Sequence, residues 1–174
     1  MTVRVVLATR NAHKLTELRR ILTEAGLDID LLGEDAFTDL PDIPETGSTF
    51  AANALIKARA VAAYTGLPAI ADDSGLCVDA LNGMPGVLSA RWAGRPKDDE
   101  RNLRLVLEQL EDVPDSRRTG AFHCAAAVVL PDGTERVVEG AVDGVIVREP
   151  RGDQGFGYDP IFVPLGQDVT TAQM

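Results

Sequence analysis

The chain is poor in the residues that would mark several protein classes. It has 2 cysteines, 1 tryptophan and 2 tyrosines in 174 residues. Cys77 and Cys124 lie far apart among apolar neighbours, a pattern that predicts buried structural thiols and excludes a disulfide framework or a zinc site built on cysteine. No apolar run approaches the roughly 18 residues of a membrane span, and the start, Met1-Thr2-Val3-Arg4-Val5-Val6-Leu7, lacks the longer apolar core and cleavage site of a signal peptide. A cytoplasmic protein without membrane attachment is expected. Basic residues are also in the minority: 17 Lys and Arg face 27 Asp and Glu, a net charge of -10. Such a balance argues against nucleic acid held by nonspecific phosphate contacts, so a polyanionic ligand would need local positive charge from placed Lys or Arg, a cation, or helix-start N–H groups. There is no repeat, no low-complexity tract and no His-Glu-x-x-His metal motif.

Hydrophobic residues make up 45% and charged residues 25%, ordinary values for one globular domain over residues 1–174. The apolar run Val3–Ala8 predicts a buried strand. From Lys14 to Ala25, apolar residues recur at helical spacing and Gly26 follows as a stop. Between them, Thr9-Arg10-Asn11-Ala12-His13-Lys14 is a strand-to-helix join, the position at which α/β proteins commonly receive phosphates. It contains no glycine and is therefore neither a Walker-type nor a Rossmann-type loop.

After a strand near Ile29–Leu32, residues Asp39–Ser48 read as an acidic surface loop that includes Glu45. Ser48 or Thr49 caps a helix from Phe50 to Thr65, stopped by Gly66 and Pro68. Thr49, Asn53 and Lys57 fall on one face of that alanine-rich helix, and Ala54, Leu55, Ala58 and Ala62 on another. The polar stripe is either solvated or aims Lys57 at an anion. A short apolar strand then runs into Asp72-Asp73-Ser74-Gly75. Adjacent carboxylates at a strand end repel unless a proton or a hard cation such as Mg2+ relieves them, although Asp, Ser and Gly also suit a plain turn.

Further along, residues 81–86 are expected to be loop, Asp98 to cap a helix over Asp99–Leu110, and Ala121–Leu130 and Val137–Val147 to form a hairpin about an Asp-Gly turn. In Gly152-Asp153-Gln154-Gly155-Phe156-Gly157-Tyr158-Asp159-Pro160, the glycines allow close backbone approach. Phe156 and Tyr158 there either offer flat faces to a base or serve as core aromatics.

Taken in order, Thr9 to Lys14, Glu45-Thr46-Gly47 with Phe50 and Asn53-Ala54, Ala71 to Gly75, Pro85-Gly86 with Ser89-Ala90-Arg91, and Gly155 to Phe162 resemble the Ham1/RdgB family of inosine triphosphate pyrophosphatases. The resemblance spans essentially the whole chain. It implies an elongated α/β fold with a mixed twisted sheet, flanking helices and two lobes around a cleft, assembled as a homodimer. It also implies Mg2+-dependent hydrolysis of dITP, ITP and XTP to the monophosphate and pyrophosphate, which clears deaminated purines from the nucleotide pool. By the same resemblance, Thr9, Arg10, Asn11, Ala12, His13 and Lys14 hold the triphosphate, and Asp73 is proton acceptor and metal ligand with Glu45 as second ligand. Ser74 binds substrate, Asn53 and Lys57 support it with Asp72, and Phe156, Gly157, Tyr158 and Asp159 line the base and sugar site. The family pattern continues beyond Met174 through a helix and a Ser-His-Arg segment, and its absence here makes a catalytically impaired nucleotide-binding protein the alternative expectation.

Overall fold

The computed structural model describes residues 2–174. The chain divides into two compact units, one taking in residues up to Asp73 together with Ala125–Glu139, the other Ser74–Cys124 with Gly140–Met174. Seven strands form a mixed sheet: β1 (Val3–Leu7), β2 (Ile29–Leu32), β3 (Ala69–Val78), β4 (Met84–Pro85), β5 (Thr119–Val129), β6 (Glu135–Ile146) and β7 (Phe162–Pro164). Their order is β2-β1-β3-β5-β6-β7, with β4 paired to β3. The helices are α1 (Ala12–Glu24), α2 (Phe50–Thr65) and α3 (Asp99–Gln109). The α/β class expected from the sequence is thus observed.

In the first unit β1 pairs in parallel with β2 and with β3. Successive strand residues point to opposite faces, and β1 is buried on both. Val6 and Ala8 pack with Ala54, Ala58, Val61 and Ala62 of α2, whereas Val5 and Leu7 pack with Leu15, Leu18 and Leu22 of α1. A strand covered on both faces needs a continuous apolar run, which is why Val5–Leu7 shows no alternation, whereas Val3 and Arg4 at the strand's start are exposed. The alanines of α2 let that helix approach the sheet closely. Thr49 caps it by accepting from the Ala52 N–H at 3.1 Å, and Gly66 ends it at φ 69°.

In the second unit, Leu76, Val78, Leu103, Val106, Leu110, Ile161 and Phe162 form the core, with Phe122 and Phe162 in edge contact at a centroid distance of 4.6 Å. Arg118 is buried there, 2% exposed. It donates to the carbonyls of Leu110, Ile146 and Val147 at 2.6, 3.0 and 3.0 Å, tying the end of α3 to the end of β6.

Three sequence expectations change. Residues 81–86 are not all loop, because Met84 and Pro85 pair with Val78 and Cys77. Helix α1 starts at Ala12 rather than Lys14, since Asn11 supplies a cap by accepting from the His13 N–H at 2.9 Å. Cys124 is exposed and Cys77 only partly buried, because both sit on strands whose faces alternate and apolar neighbours in sequence do not share a face.

Candidate active site

The strand β3 does not end at Asp72 and Asp73 but runs through them to Val78. The expected pair of carboxylates in one turn is therefore replaced by two on opposite faces of a strand, each with its own partner. Asp72 takes the ammonium of Lys14 from the first turn of α1. Asp73, only 7% exposed, accepts from Asn53 Nδ2 at 2.9 Å.

Helix α2 supplies this second environment. Residues four apart share a helix face, and Asn53 and Lys57 both aim at acids. Lys57 Nζ lies 2.6 Å from Glu45 Oε1 and 4.0 Å from Asp73 Oδ1. Asn53 and Lys57 of the polar stripe on α2 are thus partners of acids and not part of a solvated face, while the exposed Thr49 caps the helix. Asn53 is engaged at both ends of its amide, since its Oδ1 accepts from the Gly47 N–H at 2.7 Å. A side chain on Gly47 would place its Cβ 2.7 Å from that Oδ1 and 2.8 Å from the Ala52 Cβ. Glycine is needed here so that the backbone of the acidic loop can reach the helix.

Burial pushes the Asp73 carboxyl above the usual carboxylate range; the Asn53 hydrogen bond and the Lys57 charge pull it down, Glu45 pushes it up and Lys14 again pulls it down. The result is a buried base whose proton affinity exceeds that of a free aspartate, and such groups concentrate at catalytic positions.

The Thr9–Lys14 segment adds polar donors. Thr9 Oγ1 accepts from the Asn11 N–H at 3.2 Å, and the first turn of α1 carries no acidic residue against the helix's positive end. Arg10 pairs with Glu34 at 3.3 Å and Asp42 at 2.5 Å. A pocket of about 220 Å3 is lined by Thr9, Arg10, Glu34, Asp42, Glu45 and Lys57 among others. Ligand pockets for whole small molecules run to roughly 300–1,000 Å3, so this one suits a phosphate tail.

Among the described residues, no group of three or more His, Cys, Asp and Glu side chains is placed to hold a metal. Glu45 and Asp73, both beside Lys57, are oxygen donors of the kind a hard cation takes. Mg2+ is usually held by one or two carboxylates completed by phosphate oxygens and water, and that donor set fits.

The remaining predicted residues belong to the second unit. Ser74 is exposed on β3. Phe156 is 48% exposed, but Tyr158 is only 5% exposed and packs in the core. Its hydroxyl donates to the Ser89 carbonyl at 2.7 Å, and burial holds that hydroxyl well above the usual range for tyrosine. Tyr158 is therefore a structural ring, and Phe156 alone of the two keeps an exposed face. Asp159 shapes its own loop, accepting from the Phe156 N–H and the Thr171 hydroxyl, each at 2.9 Å. The Gly157 N–H donates to Asp99 at 3.1 Å. Glu34 and Asp42 were not legible as site residues, because acids in a polar loop read as solvated surface.

The Ham1 family model matches residues 5–174. A dITP/XTP pyrophosphatase of Streptomyces coelicolor is 60% identical over 171 residues, covering 98% of this chain and 86% of that protein. The dITP/XTP pyrophosphatase of Mycobacterium tuberculosis is 56% identical over 175 residues, covering 100% and 85%. Among solved structures, a HAM1 protein from Coxiella burnetii superposes with a TM-score of 0.90 at 45% identity, covering 99% of this chain and 87% of that one. The nucleoside-triphosphatase / dITP/XTP pyrophosphatase of Mycobacterium abscessus gives 0.85 at 52% identity, again over 99% and 87%. A family match over nearly the whole length, with relatives this similar, means that the chain belongs to the Ham1 family.

Proposed function

We propose that this protein hydrolyses dITP, ITP and XTP to the nucleoside monophosphate and pyrophosphate, removing deaminated purine nucleotides from the free pool. The names and identity of its relatives support the substrate class. The observation that carries the chemistry is Asp73, a buried carboxylate fixed by Asn53 and flanked by Lys57.

Thr9, the N–H groups opening α1, and Lys14 receive the phosphate chain. Asp73 orients a water molecule and takes one of its protons, while the water oxygen bonds to the α-phosphorus and the bond from that phosphorus to the bridging oxygen breaks, releasing pyrophosphate. Lys57 lends fixed positive charge to the oxyanions that develop. Glu45 and Asp73 would hold Mg2+ together with phosphate oxygens. A divalent cation held by these two carboxylates would supply positive charge to offset that of the leaving pyrophosphate. Phe156 is the exposed aromatic available to a base; rejection of 6-amino purines rests on polar groups that a 6-keto base satisfies, and rejection of dGTP, also a 6-keto purine, rests on exclusion of its 2-amino group. The family resemblance supports action as a homodimer in the cytoplasm; among the described residues no helix is long and apolar enough to cross a membrane.

The test is incubation with dITP, XTP or dGTP and Mg2+, quantifying pyrophosphate and orthophosphate separately. Pyrophosphate from dITP and XTP, with little from dGTP, is expected. Orthophosphate as the first product, or equal rates with dGTP, overturns the reading.

A further inference from the structure

The phosphate-sized pocket is charge-compensated by the protein itself. Its cations Arg10 and Lys57 face Glu34, Asp42 and Glu45. The two carboxylates on Arg10 differ in kind. The Glu34 side chain is 13% exposed and receives Nε, whereas the Asp42 side chain is 85% exposed and receives Nη1. Glu34 follows β2 in a short 3-10 turn at residues 34–36; Asp42 lies in the irregular stretch that also carries Glu45.

We infer that Arg10 is a latched phosphate ligand: Glu34 anchors its guanidinium through Nε, while Asp42 occupies Nη1 and competes with the incoming phosphate tail for it. The inference rests on the nucleotide reading above, and names Asp42 and Glu34 as positioning residues for the same pocket. A guanidinium offers several N–H donors in a rigid fork, so it can keep one carboxylate and exchange another for a phosphate. The exchange is cheap, because an exposed ion pair contributes little and is screened by salt, whereas a polyphosphate brings several negative charges to one place. Binding then also frees the Asp42 segment from its tie to the start of α1.

Simple charge removal and the latch predict different things. If only net charge matters, neutralising either carboxylate tightens anion binding alike. With the latch, the two have different effects.

The test is calorimetric titration of the intact protein with inorganic tripolyphosphate at low ionic strength, for wild type, Asp42→Asn, Glu34→Gln, Arg10→Gln and the Arg10→Gln/Asp42→Asn double variant. Asp39→Asn, an exposed acid of the same loop, controls for net charge, and thermal unfolding checks that each variant is folded. Asp42→Asn is expected to bind up to about fivefold tighter, the range of an exposed ion pair. Glu34→Gln should bring no gain, Asp39→Asn little change, and the Asp42→Asn gain should vanish once Arg10 is glutamine. Equal tightening by Asp42→Asn, Glu34→Gln and Asp39→Asn, or a gain that survives in the double variant, overturns the latch. Tight wild-type binding that no variant alters also overturns it but leaves the nucleotide reading intact. Failure of the wild-type protein to bind tripolyphosphate and dITP overturns both.

Discussion

Asn53 Nδ2 donates to Asp73 Oδ2 at 2.9 Å while Asn53 Oδ1 accepts from the Gly47 N–H at 2.7 Å. One buried amide thus joins the candidate base on β3 to the loop that leads into α2.

Replacing Asp73 by Asn should separate activity from stability. Loss of the general base predicts a fall in turnover of about 10²-fold to 10⁴-fold. The effect on stability has the opposite sign. Burial raises the Asp73 pKa in the folded protein, so its favourable contribution is complete below the unfolded value of about 3.9 and is lost as pH rises through the folded pKa. At neutral pH the buried charge is a cost that Asn does not carry. Thermal melts without metal should show the variant more stable than wild type near neutrality, with the gap closing on acidification; a less stable variant at neutral pH contradicts the argument.

Asn53→Ala removes the hydrogen bond that holds the Asp73 pKa down. The acidic limb of the kcat/KM profile should move to higher pH. Leaving Asp73 and the Gly47 N–H short of a partner should cost about 1–3 kcal/mol in denaturant titration. An unchanged acidic limb would mean that Asp73 is not the group titrating there.

Gly47→Ala forces a Cβ to within 2.7 Å of Asn53 Oδ1. Overpacking of this kind typically costs about 1–3 kcal/mol, and here it also displaces the amide that positions Asp73. Urea denaturation and turnover should therefore worsen together. A stable but slow variant would instead point to a purely local effect on the site.

Arg118→Lys keeps a charge but cannot reach the carbonyls of Leu110, Ile146 and Val147 together as the guanidinium does. Stability should fall by about 1–3 kcal/mol through the unmet carbonyls. Proteolysis should localise the loosening to the end of α3, and a wild-type denaturation midpoint would rule the clamp out.

Local chemistry made much of the chain readable. Thr49 as cap and Gly66 as stop bounded α2 to the residues observed, because capping and left-handed turns depend on near neighbours. The Asp-Gly hairpin turn and the Asp98 cap of α3 are local in the same sense. The order of Thr9–Lys14, Glu45, Asn53, Lys57 and Asp72–Asp73 along the chain by itself pointed to the family. What the linear chain did not reveal is which carboxylate meets which cation. Asp72 and Asp73 are neighbours in sequence, yet one faces Lys14 and the other Asn53 and Lys57, because pleating sends adjacent side chains to opposite faces once β3 continues through them. The exposure of Cys124, the burial of Tyr158 and the pairing of Glu34 and Asp42 with Arg10 were hidden for a related reason: burial and ion pairing arise from contacts between segments distant in sequence. Residue identity pointed to most of the elements and to the family; only the tertiary structure decided the burial that raises the proton affinity of Asp73 and the pairing of charges that gives Arg10 its latch, since electrostatic energy depends on separation in space and on exclusion of water.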